Sequence, residues 1–140
     1  MENSLMSHKD AYVSLFARLL LSLIFLYSGI GKLIAPEATI AYISNTGLPF
    51  AQLGYAAALF VELVLAVALL VGYRTAWVAI GMSIFTLAAA LAFHFDFSDR
   101  GQVIAFLKNL AICGGLLQVA VSGAGGFSID SLRSQPRLPQ

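Results

Sequence analysis

Charge is what this chain has least of. Only 11% of its 140 residues are Asp, Glu, Lys or Arg, against about 25% in a typical soluble domain. With 8 Lys and Arg, 7 Asp and Glu and a net charge of +1, there is no basic field to attract nucleic acid. Cys113 is the only cysteine, which excludes an internal disulfide, a CxxC redox pair and a thiolate metal site within one chain. A lone cysteine in an apolar helix reads as packing. The histidines and carboxylates are scattered without ligand spacing, so no metal site is expected. Haem ligand pairs and a dinucleotide motif are also missing, which departs from a self-sufficient redox enzyme.

What is present is apolar. Hydrophobic residues make up 59% of the chain and the mean hydropathy is +0.86. The polar lead Met1 to Asp10 precedes a hydrophobic run interrupted by Arg18 and lacking a small-x-small cleavage site, so the first segment is read as retained. Hydropathy divides the chain into four spans, about 12–34, 50–72, 75–95 and 102–122, each near the 20 residues that a membrane helix requires. The fold class that follows is all-α: an integral membrane four-helix bundle spanning 12–122. A tail at 1–11 precedes it, and a Gly-, Ser- and Pro-rich tail at 123–140 follows, poorly ordered at its end.

The links carry their own signals. "PEATIAYISNTG" reads as a short amphipathic helix lying at the interface, with Pro36 at its start, Ile40 and Ile43 on one side and Gly47 as its stop. Gly72 to Arg74 is too short for anything but a tight hairpin, with Tyr73 and Trp77 at headgroup depth. "DRGQ" resembles a capping box in which Asp99 accepts from free amides and Gln102 reaches back. Gly29, Gly31, Gly81, Gly114 and Gly115 would permit close helix approach. Lys9, Arg18, Arg74, Arg133 and Arg137 fall toward one side, and Lys32, Arg100 and Lys108 toward the other. That asymmetry places both termini in the cytoplasm.

The informative residues are the polar ones inside the spans. Arg18, Ser22, Phe25, Gly29 and Lys32 follow 4-3-4-3 steps and share one face of span 1. Glu62 sits near the centre of span 2, where an unpaired carboxylate is costly and no interface is within reach. From depth alone, Arg18 and Glu62 are expected to form a buried ion pair. Lys32 would snorkel at the opposite interface or join His94, Lys108 and Asp96 around a polar mouth. Lys32, His94, Lys108 and Asn109 are the ligand-binding candidates, and Glu62 and His94 the candidate proton carriers.

Together, "RLLLSLIFLYSGIGKL", "YISNTGLP", "ELVLAVALLVGYRT", the His-containing end of span 3, "FLKNLAICGGLL" and "FSID" resemble the DoxX family of small four-helix membrane proteins, from about Phe16 to Asp130. The resemblance implies an inner-membrane, redox-associated protein without a cofactor of its own. The family is named for a subunit of quinone-linked sulfur oxidation, and other members belong with membrane oxidoreductase complexes in oxidative or thiol stress. The leading expectation is an accessory subunit, not a self-sufficient enzyme, that helps a redox enzyme partner meet quinone in the lipid bilayer. One alternative is a small transporter or lipid- or solute-binding module, which at this size calls for a homo-oligomer. Another is a membrane scaffold without chemistry.

Overall fold

The structure, a computed structural model, describes the backbone over residues 2–134 and the side chains over 8–134. Among the described residues every regular element is helical. Helix α1 spans Glu2–Ile34, α2 Pro36–Asn45, α3 Ala51–Leu59, α4 Ala66–Val71, α5 Thr75–Phe93, α6 Arg100–Ser122 and α7 Ile129–Ser134. A π-helical segment, Phe60–Leu65, joins α3 to α4. The four stretches long and apolar enough to cross a membrane are His8–Ile34, Ala51–Val71, Thr75–Phe93 and Arg100–Ser122. The chain is therefore an all-α membrane protein with four spans. The N-terminal stretch from residue 2 continues α1 without a break. At 33 residues, α1 is about 50 Å long and exceeds a hydrocarbon core of about 30 Å.

Two antiparallel pairs make the bundle. Span 1 packs along span 2, and α5 packs along α6, while α1 against α6 and α4 against α5 close the ring through smaller contacts. The core where the pairs meet is built from Phe25, Val61, Leu69, Val78, Met82 and Leu116 with small residues between them. In α5 the buried positions Val78, Ala79, Met82, Ser83, Thr86 and Ala90 fall on the helical stripe expected of a packed face. The Thr86 hydroxyl donates to the Met82 carbonyl at 2.7 Å, and Cys113 Sγ on α6 donates to the Ser83 backbone carbonyl at 3.3 Å. Cys113 is buried between α5 and α6, as the packing reading requires.

Helix α2 begins with Pro36 in its first turn and stops before Gly47, whose φ is +79°. Ile43 is buried, Ile40 is half-buried, and Tyr42 stacks on Phe93 at 5.5 Å between ring centroids. Helix α2 thus lies over the end of the bundle where α5 finishes. At the other end, residues 123–134 fold back over the Gly72–Arg74 turn. The disorder expected at the chain's very end concerns residues 135–140, which lie outside the described residues.

Candidate functional site

Arg18, Ser22, Phe25 and Gly29 are all buried and Lys32 is half-buried, so the face of span 1 read from the sequence does point into the bundle. The partners along that face differ from expectation. Glu62 pairs with Lys32: Nζ lies 2.9 Å from Oε1 and 2.8 Å from Oε2, and also donates to the Ser28 hydroxyl at 2.7 Å. Arg18 does not touch Glu62. Its guanidinium donates to the carbonyls of Leu69, Leu70 and Phe127, and the residue is fully buried.

The direction of the side chains explains the exchange. A long side chain on an α-helix leans toward the helix N-terminus. Arg18 therefore leans toward the start of span 1, where antiparallel span 2 ends and its last carbonyls lack intrahelical donors. Lys32, on the same helix, leans back toward the membrane interior, and Glu62, on the antiparallel helix, leans up to meet it. Depth measured at the backbone misses this by the length of each side chain.

Two local features let the pair form. The π segment, residues 60–65, holds Glu62 in its first turn; single π turns within α-helices are uncommon and occur often at functional sites. Gly29 brings α1 against that segment. A Cβ at Gly29 would lie 2.7 Å from Leu63 Cδ2 and 3.0 Å from Glu62 Cβ, closer than real contacts allow. Gly115 meets Leu21 less tightly, at 3.3 Å, whereas Gly31 and Gly114 face open space, so those two do not serve the close approach expected of them.

Beside the ion pair lies a cavity of about 530 Å³ between the two helical pairs. Ser28, Lys32 and Glu62 form one wall, Ala57, Ala58, Phe85, Ala88, Ala89 and Ala92 give it an apolar body, and α2 covers it through Thr39, Tyr42 and Ile43. His94 and Asn109 also line it. His94 Nδ1 and Gln102 Oε1 are 2.8 Å apart. Asp99 caps α6 by accepting from the Gly101 amide, but Gln102 serves His94 and does not reach back, so the capping box is half made.

Two expected members of the mouth stand apart. Lys108 is exposed and outside the cavity lining, because it follows Lys32's end of the bundle in depth but lies one position round α6 from Asn109. Asp96 is exposed and bonds the Ser98 hydroxyl and amide, which hold its carboxyl below the ordinary value.

A second constellation escaped the sequence reading. Asp130 Oδ1 accepts from the Arg74 amide and Oδ2 from the Thr75 amide and hydroxyl, all at 2.8 Å, while the Asp130 amide donates to the Gly72 carbonyl at 2.9 Å. Asp130 thus caps the start of α5 from 55 residues away. Burial raises its pKa, but the hydrogen bonds from Thr75 and Arg74, with Arg133 nearby, outweigh it and hold the carboxyl below its usual value. Gly72, at φ +71°, admits this arrangement: a Cβ there would strike Ser128 and come within 2.9 Å of the Arg18 guanidinium. One signal was available. "GYRT" opens a helix with no capping side chain of its own, so the cap had to arrive from elsewhere.

The architecture and the buried charges define a small four-span membrane protein with an intramembrane ion pair beside a cavity. The DoxX family model matches residues 13–95, and the chain belongs to the DoxX family. Among its relatives, inner membrane protein YqjF of Escherichia coli (strain K12) is 35% identical over 118 residues, covering 84% of this chain and 89% of that protein. Inner membrane protein YphA of the same organism is 29% identical over 121 residues, covering 83% and 86%. No solved structure matches the chain.

Proposed function

We propose that the cavity binds the head of a lipid-soluble quinone and that the chain is an accessory subunit of a quinone- or thiol-linked redox system in the bacterial inner membrane, with both termini cytoplasmic. The observation that carries this reading is the cavity of about 530 Å³, apolar in its body and bounded on one side by the Lys32–Glu62 pair. Its size falls within the range of small-molecule sites, roughly 300–1,000 Å³. Its composition suits a flat, uncharged head with a few polar atoms. Glu62 and His94 both line the cavity, and in this reading they carry protons to and from the ligand. The electrons come from the partner's cofactor.

The rival reading, capture of an anionic group by a small transporter or solute-binding module, needs a free cation. Lys32 has three protons and three acceptors already in place, two of them on Glu62, and Lys108 lies outside the lining. Titrating a short-chain benzoquinone into the purified protein in lipid nanodiscs tests the proposal, beside an Ala89→Phe variant that fills the cavity. Saturable binding weakened by the filled cavity, together with copurification of a redox enzyme from native membranes, is the expected result. Binding indifferent to Ala89→Phe, or no saturable binding, overturns it and leaves a scaffold.

A further inference from the structure

Hydrogen-bond accounting of the cavity wall narrows what the head must be. All three Lys32 protons are committed, to Ser28 Oγ and to both Glu62 oxygens. Each carboxylate oxygen accepts from two directions, and Lys32 occupies one direction on each. Glu62 therefore presents spare lone pairs to a cavity it lines. Its charge is already balanced by Lys32, so the pair demands neither a cation nor an anion.

His94 adds to the same bias. With Gln102 Oε1 accepting from Nδ1 at 2.8 Å, the neutral ring carries its proton on Nδ1 and Nε2 is left as an acceptor. Beside Glu62 and His94 the polar wall is thus weighted toward acceptors, while the Ser28 and Tyr42 hydroxyls elsewhere in the lining can donate. The amide of Asn109, which bonds to nothing else among the described residues, can donate or accept and so adapts to either form of a ligand.

We infer that the site selects an uncharged, lipid-soluble ligand bearing hydroxyl donors, and that Glu62 accepts a hydrogen bond from one of those hydroxyls. In terms of the function proposed above, on which this inference rests, the site prefers the hydroquinone to the quinone. A carbonyl oxygen set against Glu62 would meet lone pairs with no donor between them and leave both desolvated. An O–H makes a charge-assisted bond instead. Lys32 acts as a positioning residue: it fixes the carboxylate and commits its own protons there, so it offers none to a carbonyl set against Glu62.

Three probes given to the unmodified protein in nanodiscs under anaerobic conditions test this: a short-chain benzohydroquinone, its benzoquinone, and its O,O-dimethyl ether. The hydroquinone should bind roughly tenfold or more tighter than either of the others, the factor expected of one hydrogen bond to a charged group. Glu62→Gln, which replaces a pure acceptor with an amide that also donates, should collapse the ratio between hydroquinone and quinone toward one. Equal affinity for the three probes, or tighter binding of the quinone, overturns the inference while leaving quinone-type binding intact. Failure of all three to bind overturns the inference and the proposed function together.

Discussion

Lys32 lies 2 residues before the end of span 1 at Ile34 and Glu62 lies 11 residues past the start of span 2 at Ala51, yet their charged groups meet at 2.8 Å. Glu62 is nearly closed off, with 8% of its side chain exposed, and Lys32 keeps 25%. An ion pair so placed is retained at a desolvation cost, and its value appears mainly when one partner is removed.

Lys32→Met and Glu62→Leu should each lower thermal stability in detergent, by about 3–5 kcal/mol where the survivor is buried and by less where Lys32 survives, since a quarter of its side chain is exposed. The double variant should recover much of that loss. The full double-mutant cycle measures the coupling directly, and additive losses would mean that the two residues do not interact. Pairing Glu62→Leu with Arg18→Leu should show no such recovery.

Arg18 holds three carbonyls on two separate segments, so its removal should act at a distance from span 1. Arg18→Leu leaves the Leu69, Leu70 and Phe127 carbonyls without their donor, a loss on the order of 2–4 kcal/mol. Lysine cannot bridge the two segments with a planar fork and should restore little. Hydrogen exchange should rise around 123–134 in both variants. Unchanged protection there would mean that Arg18 does not hold the C-terminal segment.

Asp130 makes the docking of that segment depend on pH. Its carboxyl lies below the ordinary value in the folded chain, so the stabilisation is fully present above the unfolded value of about 3.9 and is lost as pH falls through the lower, folded value. Protease accessibility of residues 123–134 should therefore stay flat at neutral pH and rise only in acid below about pH 4. Asp130→Asn should be more accessible at neutral pH and lose the acid dependence. An acid transition that persists in Asp130→Asn would assign it to another group.

Gly29 and Gly31 form a matched pair on one helix. A methyl at Gly29 strikes Leu63 Cδ2 and Glu62 Cβ, while a methyl at Gly31 meets nothing within 4 Å. Gly29→Ala should destabilise by about 1–3 kcal/mol, as overpacking does, and should loosen the Lys32–Glu62 pair. Gly31→Ala should be neutral or stabilise slightly through helix propensity. Equal melting temperatures for the two variants would show that α1 does not press on the π segment.

The sequence by itself determined the membrane, the spans and the inward face of α1. Low charge and apolar runs near 20 residues are local properties of the chain, and a lipid solvent leaves a run like Ala51–Val71 little choice but a helix. The 4-3-4-3 spacing from Arg18 to Lys32 likewise fixes a shared face whatever the helix packs against. Tertiary structure alone decided the partners. Arg18 and Lys32 are both cations on that face, and which of them meets Glu62 depends on which way each side chain leans along an antiparallel neighbour. The meeting also required a π turn that no periodicity in "FVELVL" announces, and a glycine contact between two helices 33 residues apart in sequence at Gly29 and Glu62. The cap on α5 comes from Asp130, so far along the chain that only the folded bundle brings it to Thr75. Hydropathy and period are summed over neighbours in sequence; ion pairs, caps and cavities are made between strangers in sequence, and the packing of the two helical pairs is what introduced them.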